Sequence, residues 1–228
     1  MLPTTRRIAV AGLAAAAFGI TLRPALADND QQRLIERARL ALGEFYDDPN
    51  FELMRVYVQN AQAVAIFPEL LKAGLIVGVE AGSGVLTVRN ETTGTWGDPA
   101  FYDIYEGSFG LQIGGASTSV VATIMNRPAI DKILTSKFKM GTDASVAAGP
   151  VGPGIGAGTT TQFGEDIYTF SRSRGLYAGL SLDGAAMLPK NDWNETFYGV
   201  KTTPARILRG DLGVHSGTQT LRDALARF

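Results

Sequence analysis

The chain contains no cysteine. That excludes a disulfide scaffold, thiol catalysis, thiolate zinc sites and a lipidated N-terminal cysteine. It contains one histidine, His215, so no pair of imidazoles can share a metal. Charge is scarce as well. The 21 Lys+Arg and 22 Asp+Glu leave a net −1, with no overall pull towards nucleic acid. No Gly-x-Ser-x-Gly elbow marks a hydrolase nucleophile. The glycine run 149–158 lacks the Gly-Lys-Ser/Thr ending of a phosphate loop, and no helical pattern follows it as a dinucleotide fingerprint requires. It reads as a loop or a tightly bent strand edge.

What is abundant is glycine, 27 of 228 residues against a usual ~7%, in a chain that is 45% hydrophobic. That size and composition suit one folded domain with short appendages.

Residues 1–27 read as an export signal. Arg6-Arg7 begins it, residues 8–20 are apolar and alanine-rich, and Pro24 precedes the small-x-small pattern Ala25-Leu26-Ala27. The 13-residue apolar stretch is shorter than the ~20 residues of a membrane-spanning helix. Thr5-Arg6-Arg7 fits a twin-arginine signal as well as a general secretory one. Cleavage after Ala27 removes three arginines and no acid. It leaves 201 residues with 18 basic and 22 acidic side chains, net −4. The expected location is the periplasm.

Residues 28–62 read as two helices. Asp30 can cap the first, and Leu34, Ile35, Ala38, Ala41, Leu42 and Phe45 recur on one face opposite Arg33, Glu36, Arg37 and Glu44. Asp47-Asp48-Pro49-Asn50 stops it, and 51–60 forms the second. Short strand candidates follow: 75–79 and 85–89, joined by a turn at Gly82-Ser83-Gly84, then 101–105, 110–113, 119–125, 143–148, 167–171 and 176–182. Pro128 opens a short helix over 129–134, with Asn126 near its cap. The tail 201–228 carries a helical turn at 204–208 and an amphipathic helix marked by Leu221, Ala224, Leu225 and Phe228. Helices first and many strands later predict an α+β fold: an antiparallel, strongly curved, glycine-rich sheet or half-barrel with N-terminal amphipathic helices and a C-terminal helix.

Catalytic or metal chemistry has little to stand on. Asp192-Trp193-Asn194-Glu195 is the best acidic group, as a weak calcium site or a hydrolase pair, although turn and cap roles explain it more simply. His215 reads as a surface or capping histidine. No cofactor or metal is expected. The basic residues form three groups: Arg33, Arg37 and Arg39 on the first helix; Lys132, Lys137 and Lys139; and Arg172 with Arg174. Each group can meet phosphate oxygens through charge-assisted hydrogen bonds, or be a solvated face.

Residues 63–199 are similar to the SYLF domain family. The resemblance rests on ordered blocks, among them Ala63-Val64-Ala65-Ile66-Phe67-Pro68, Leu71-Lys72-Ala73-Gly74, Gly82-Ser83-Gly84-Val85-Leu86, Gly107-Ser108-Phe109-Gly110-Leu111-Gln112-Ile113-Gly114, Lys137-Phe138-Lys139-Met140-Gly141, Ser171-Arg172-Ser173-Arg174-Gly175-Leu176-Tyr177 and Phe197-Tyr198-Gly199. It implies a SYLF domain over 63–200 and a lipid-binding, non-catalytic module of a family that binds phosphoinositide membranes and, in yeast, also actin. The first helix then resembles the membrane-contacting helix of that family. Lys72, Lys137, Lys139, Arg172 and Arg174 stand as basic positions inside the matching blocks. The expectation is a periplasmic module that meets anionic membrane phospholipids through Arg33, Arg37, Lys72, Lys137, Lys139, Arg172 and Arg174. The alternative is a protein-interaction or envelope scaffold with incidental lipid contact.

Overall fold

The structure, a computed structural model, describes residues 30–74, 77–109, 117–135, 137–152, 164–173 and 182–228. The export-signal reading of 1–27, the strand expected at 110–113, nearly all of that at 176–182, Arg174 and residues 153–158 of the glycine run lie outside the described residues.

Helix α1 (Asp30–Asp47) buries Leu34, Ile35, Ala38, Ala41, Leu42 and Phe45, the face its spacing predicts. Asp48 ends the segment and caps the next turn, its carboxylate accepting from the Asn50 backbone N–H. Helix α2 (Glu52–Asn60) buries Leu53, Met54, Tyr57 and Val58.

The sheet then begins: β1 (Ala63–Gly74), β2 (Val77–Val88), β3 (Ala100–Phe109) and β4 (Ser117–Ile124). After α3 (Arg127–Ile133), capped by the Asn126 side chain accepting from the Ala129 N–H, come β5 (Phe138–Lys139), β6 (Val146–Ala148), β7 (Ile167–Ser173) and β8 (Ala186–Pro189). The eight strands run in the order β5-β8-β3-β2-β1-β4-β7-β6 and curl into a half-barrel. Strands β5 and β6 occupy opposite edges although only residues 140–145 separate them. The Met140–Ala144 bridge lies in that connection, so the curl brings the two edges towards one turn.

Three expectations are corrected. The β6–β7 pair is parallel, while every other pair is antiparallel. Gly82-Ser83-Gly84 is not a turn, because β2 runs straight through it. The segment faces a β-bulge in β1, where register shifts between Ile66 and Leu71 around Pro68 and Glu69. A Cβ at Gly84 would collide with the Phe67 ring and the Ile66 carbonyl, and one at Gly82 with the Glu69 carbonyl. The glycines are there so that a bent neighbour can come close. Finally, Asp192 to Glu195, read as turn or cap residues, lie within helix α4 (Asn191–Tyr198), with Asp192 in its first turn. The fully buried Asn194 ties this helix to β3: its carboxamide oxygen accepts from the Phe101 N–H at 2.8 Å and its amide donates to the Phe101 carbonyl at 3.2 Å.

Strand alternation sorts the core into two layers. Ala63, Ala65, Phe67, Leu86, Tyr102, Ile104, Val120 and Ala122 point into the curl with α3 and with α5 (Pro204–Leu208). Val64, Ile66, Val85, Phe101, Val121 and Phe170 point outward, under α1, α2, α4 and α6 (Gln219–Leu225). The tail is tethered by buried Asp98, which accepts from the Thr218 hydroxyl at 2.5 Å and the His215 N–H at 2.6 Å and pairs with Arg222 at 3.6 Å. His215 caps the turn Ser216–Thr218, its Nδ1 accepting from the Gly217 N–H at 3.1 Å.

Candidate functional site

The fold pairs each of the predicted arginines among the described residues with an acid. Arg33 pairs with Asp30, one turn away on α1. Arg39 grips Glu36 through two hydrogen bonds, Nη2 to Oε1 at 2.5 Å and Nε to Oε2 at 2.9 Å. That bond holds the Glu36 carboxyl below its ordinary range against an opposing burial effect. Arg37 reaches across to Glu69 in the β1 bulge at 3.2 Å. Arg172 on β7 meets Glu44 of α1 at 2.5 Å and Asp48 at 3.6 Å. Arg37 and Arg172 line one groove of about 180 Å³ with Leu40, Glu44, Pro68 and Glu69, so each wall carries both signs of charge. Helix α1 keeps its whole apolar face under its own fold. Leu34, Ile35, Ala38 and Leu42 have no exposed surface.

Lys72 lies at a register position opposite Glu80, and Glu80 lies opposite Glu106, in one row across β1, β2 and β3. Burial pushes the Glu106 carboxyl up to about 7; Glu80 and Asp183 add to the rise and Lys72 opposes it. Glu80, 5% exposed, is raised by burial, again opposed by Lys72. This row was not legible from residue spacing. Glu80 and Glu106 are 26 positions apart, and only strand register brings them together.

The lysine group is different. Lys132 on α3 donates through Nζ to the Asp143 carbonyl, and the Asp143 carboxylate accepts from the Lys139 backbone N–H at 2.7 Å. One turn therefore gathers Lys132 and Lys139, with Lys137 a strand position away. All three are exposed, and none forms an ion pair with a carboxylate among the described residues. Arg174, the last predicted contact, lies outside the described residues. Among those residues no helix is long and apolar enough to cross a membrane, and no group of three or more His, Cys, Asp or Glu could hold a metal ion.

Such an arrangement can supply a small patch of unneutralised positive charge on an acidic body. Phosphate-bearing or carboxylate-bearing surfaces are what it can attract. Comparison with known proteins adds the lineage. Residues 105–228 match the Ysc84 family, described as Las17-binding protein actin regulator. The protein YSC84 of Saccharomyces cerevisiae is 32% identical over 162 residues, covering 69% of this chain and 34% of the yeast protein. LAS seventeen-binding protein 3 of the same yeast is 32% identical over 158 residues, 67% of this chain and 34% of its own length. SH3 domain-containing YSC84-like protein 1 of Xenopus laevis is 28% identical over 173 residues, 75% of this chain and 51% of its own. The matched region thus spans about a third to a half of these relatives.

Proposed function

This chain belongs to the Ysc84 family, whose domain also carries the name SYLF, and from that membership we propose that it is a non-catalytic module that associates with anionic phospholipid surfaces. The observation that carries this reading is the exposed corner where Lys132, Lys137 and Lys139 are gathered around one turn, none of them in an ion pair with a carboxylate among the described residues. Near an anionic membrane each contributes about 1 kcal/mol of attraction, enough together for reversible, salt-sensitive attachment. On the reading of residues 1–27 as an export signal, the proposed working compartment is the periplasm. There the available anionic headgroups are those of bacterial lipids such as phosphatidylglycerol and cardiolipin.

The test is co-sedimentation of the full chain with vesicles of phosphatidylcholine alone and of phosphatidylcholine mixed with phosphatidylglycerol, across a salt series. Because Arg6, Arg7 and Arg23 flank the apolar stretch 8–20 and themselves favour anionic vesicles, the comparison that isolates the lysine corner is between the full chain and its Lys137→Glu, Lys139→Glu variant on the same vesicles. The anionic vesicles should retain more protein, and added salt should release it. Joint reversal of Lys137→Glu and Lys139→Glu should weaken the anionic preference by about tenfold or more. Equal pelleting on both vesicle types overturns the reading.

A second reading has its own support. Arg37 and Arg172 are engaged by Glu69 and Glu44 rather than left for phosphate, and yeast relatives are named for binding Las17, a protein. On that reading the module is a protein-interaction or scaffold element. It gains if vesicles of either kind fail to retain the chain.

A further inference from the structure

Five strands carry one continuous row on the outer face of the sheet. Strand register sets Lys139 of β5 opposite Ala186 of β8, Ala186 opposite Tyr105 of β3, Tyr105 opposite Ala81 of β2, and Ala81 opposite Leu71 of β1. Val79 sits two positions along β2 on the same face. At strand spacing the row spans roughly 19 Å. Its side chains point away from the inner core, because the neighbours Phe138, Met187, Ile104 and Leu70 all point into the curl. Among the described residues no helix covers it: Leu71 is 55% exposed, Val79 52% and Tyr105 43%. Closer to α1, the same sheet face is buried under the helices through Val85, Phe101 and Ile66. Leu71, Val79 and Tyr105 thus sit together at the uncovered end of the sheet, while Leu40, Val151, Val200 and Val214, the other exposed large apolar side chains among the described residues, lie elsewhere.

We infer that this row is the face by which the protein lies on a lipid bilayer, with Leu71, Val79 and Tyr105 entering the boundary between headgroups and acyl chains while Lys139 and Lys137 hold the headgroups. The inference rests on the lipid reading above and specifies its surface. Two features favour a bilayer over a protein partner. The row ends in the lysine corner, so apolar contact and cationic contact are continuous along one line, the pairing that an anionic interface rewards. And the row itself, Leu71, Ala81, Tyr105, Ala186 and Lys139, contains no acid; the carboxylates beside it are already engaged, Asp103 by Ser83 and Lys190 and Asp143 by the Lys139 backbone N–H. Tyrosine at such a boundary keeps its ring in the apolar layer and its hydroxyl in the wet one.

The absence of native cysteine makes the test direct. Single substitutions Leu71→Cys, Val79→Cys and, as a control on the C-terminal segment, Val214→Cys are labelled with an environment-sensitive dye. Val214 is the control because it is 75% exposed. Each labelled full chain is mixed with phosphatidylglycerol-containing vesicles. The labels at 71 and 79 should shift to the blue and be quenched by lipid-borne quenchers, and the label at 214 should do neither. Leu71→Asp and Tyr105→Asp, at exposed positions where folding is easily checked by thermal melting, should each weaken vesicle binding about tenfold. If the unlabelled chain binds anionic vesicles but the labels at 71 and 79 stay silent, or all three respond alike, the row is wrong and the lipid reading stands. If the chain binds no vesicle at all, both fall.

Discussion

At the scale of single residues, the row beneath this surface carries a second consequence. Leu71, Val79 and Tyr105 face outward, and their sequence neighbours Lys72, Glu80 and Glu106 face the other side of the same strands. Glu106 has a buried oxygen, Oε2, without a hydrogen-bond partner among the described residues. Burial, aided by Glu80 and Asp183 and opposed by Lys72, pushes its carboxyl up to about 7, above the ordinary value near 4.3 that applies in the unfolded chain. A carboxyl raised on folding binds its proton more tightly in the folded state. The stability that proton brings is complete below about 4.3 and is lost as pH rises through about 7. Melting temperature should therefore fall between pH 5 and pH 8. Glu106→Gln, which keeps a neutral side chain of the same shape, should flatten that fall. The difference is on the order of 1 kcal/mol once the solvent reaching Glu106 is allowed for. Thermal melts of both chains at pH 5, 6, 7 and 8 measure it. An unchanged slope in the variant would assign the pH dependence to another group.

At the scale of elements, the bulge in β1 and the glycines of β2 form one device. Gly84→Ala places a methyl group against the Phe67 ring and the Ile66 carbonyl, and neither can retreat, because Phe67 is fully buried and Ile66 belongs to the ladder. The expected cost is about 1–3 kcal/mol in a urea melt. Gly107→Ala is the contrasting case. Nothing lies within 4 Å of its added Cβ, and its effect should stay within about 0.5 kcal/mol. The same device explains what could and could not be read from the chain. α1, α2 and α3 were legible because their signals are local: an apolar period of 3.6, the Asp47–Asn50 stop and the Asn126 cap. Gly82-Ser83-Gly84 reads locally as a turn, and only its cross-strand neighbours make it the inside of a bend. Helix α4 was hidden because it is eight residues long and its N-cap, Lys190, makes no side-chain cap hydrogen bond. The lysine corner was visible since 132, 137 and 139 are close in sequence. The neutralising of Arg37 and Arg172 was not, with Glu69 and Glu44 lying 32 and 128 positions away.

At the scale of the whole molecule, the question is whether membrane attachment would rearrange the fold. The family resemblance suggests an amphipathic helix meeting the bilayer, and α1 is the helix in that position. Its apolar face, however, is the cover of the outer sheet layer, where Val64, Ile66, Val85, Val121 and Phe170 are buried. A bilayer could accept the face that α1 would turn towards it, but not the sheet residues left behind. Exposing even four of these costs about 6–12 kcal/mol. Three lysines near an anionic surface return about 3 kcal/mol. The balance keeps α1 docked and leaves contact to side chains already outside, Leu71, Val79 and Tyr105 beside Lys139. Backbone amide exchange should therefore be as slow in α1 with phosphatidylglycerol-containing vesicles as without them, while protection rises in the stretches of β1, β2 and β3 around residues 71, 79 and 105. Faster exchange across residues 33–45 on adding vesicles would show that the helix leaves the sheet to bind, and would mean that the outer layer finds a cover that this fold does not itself provide.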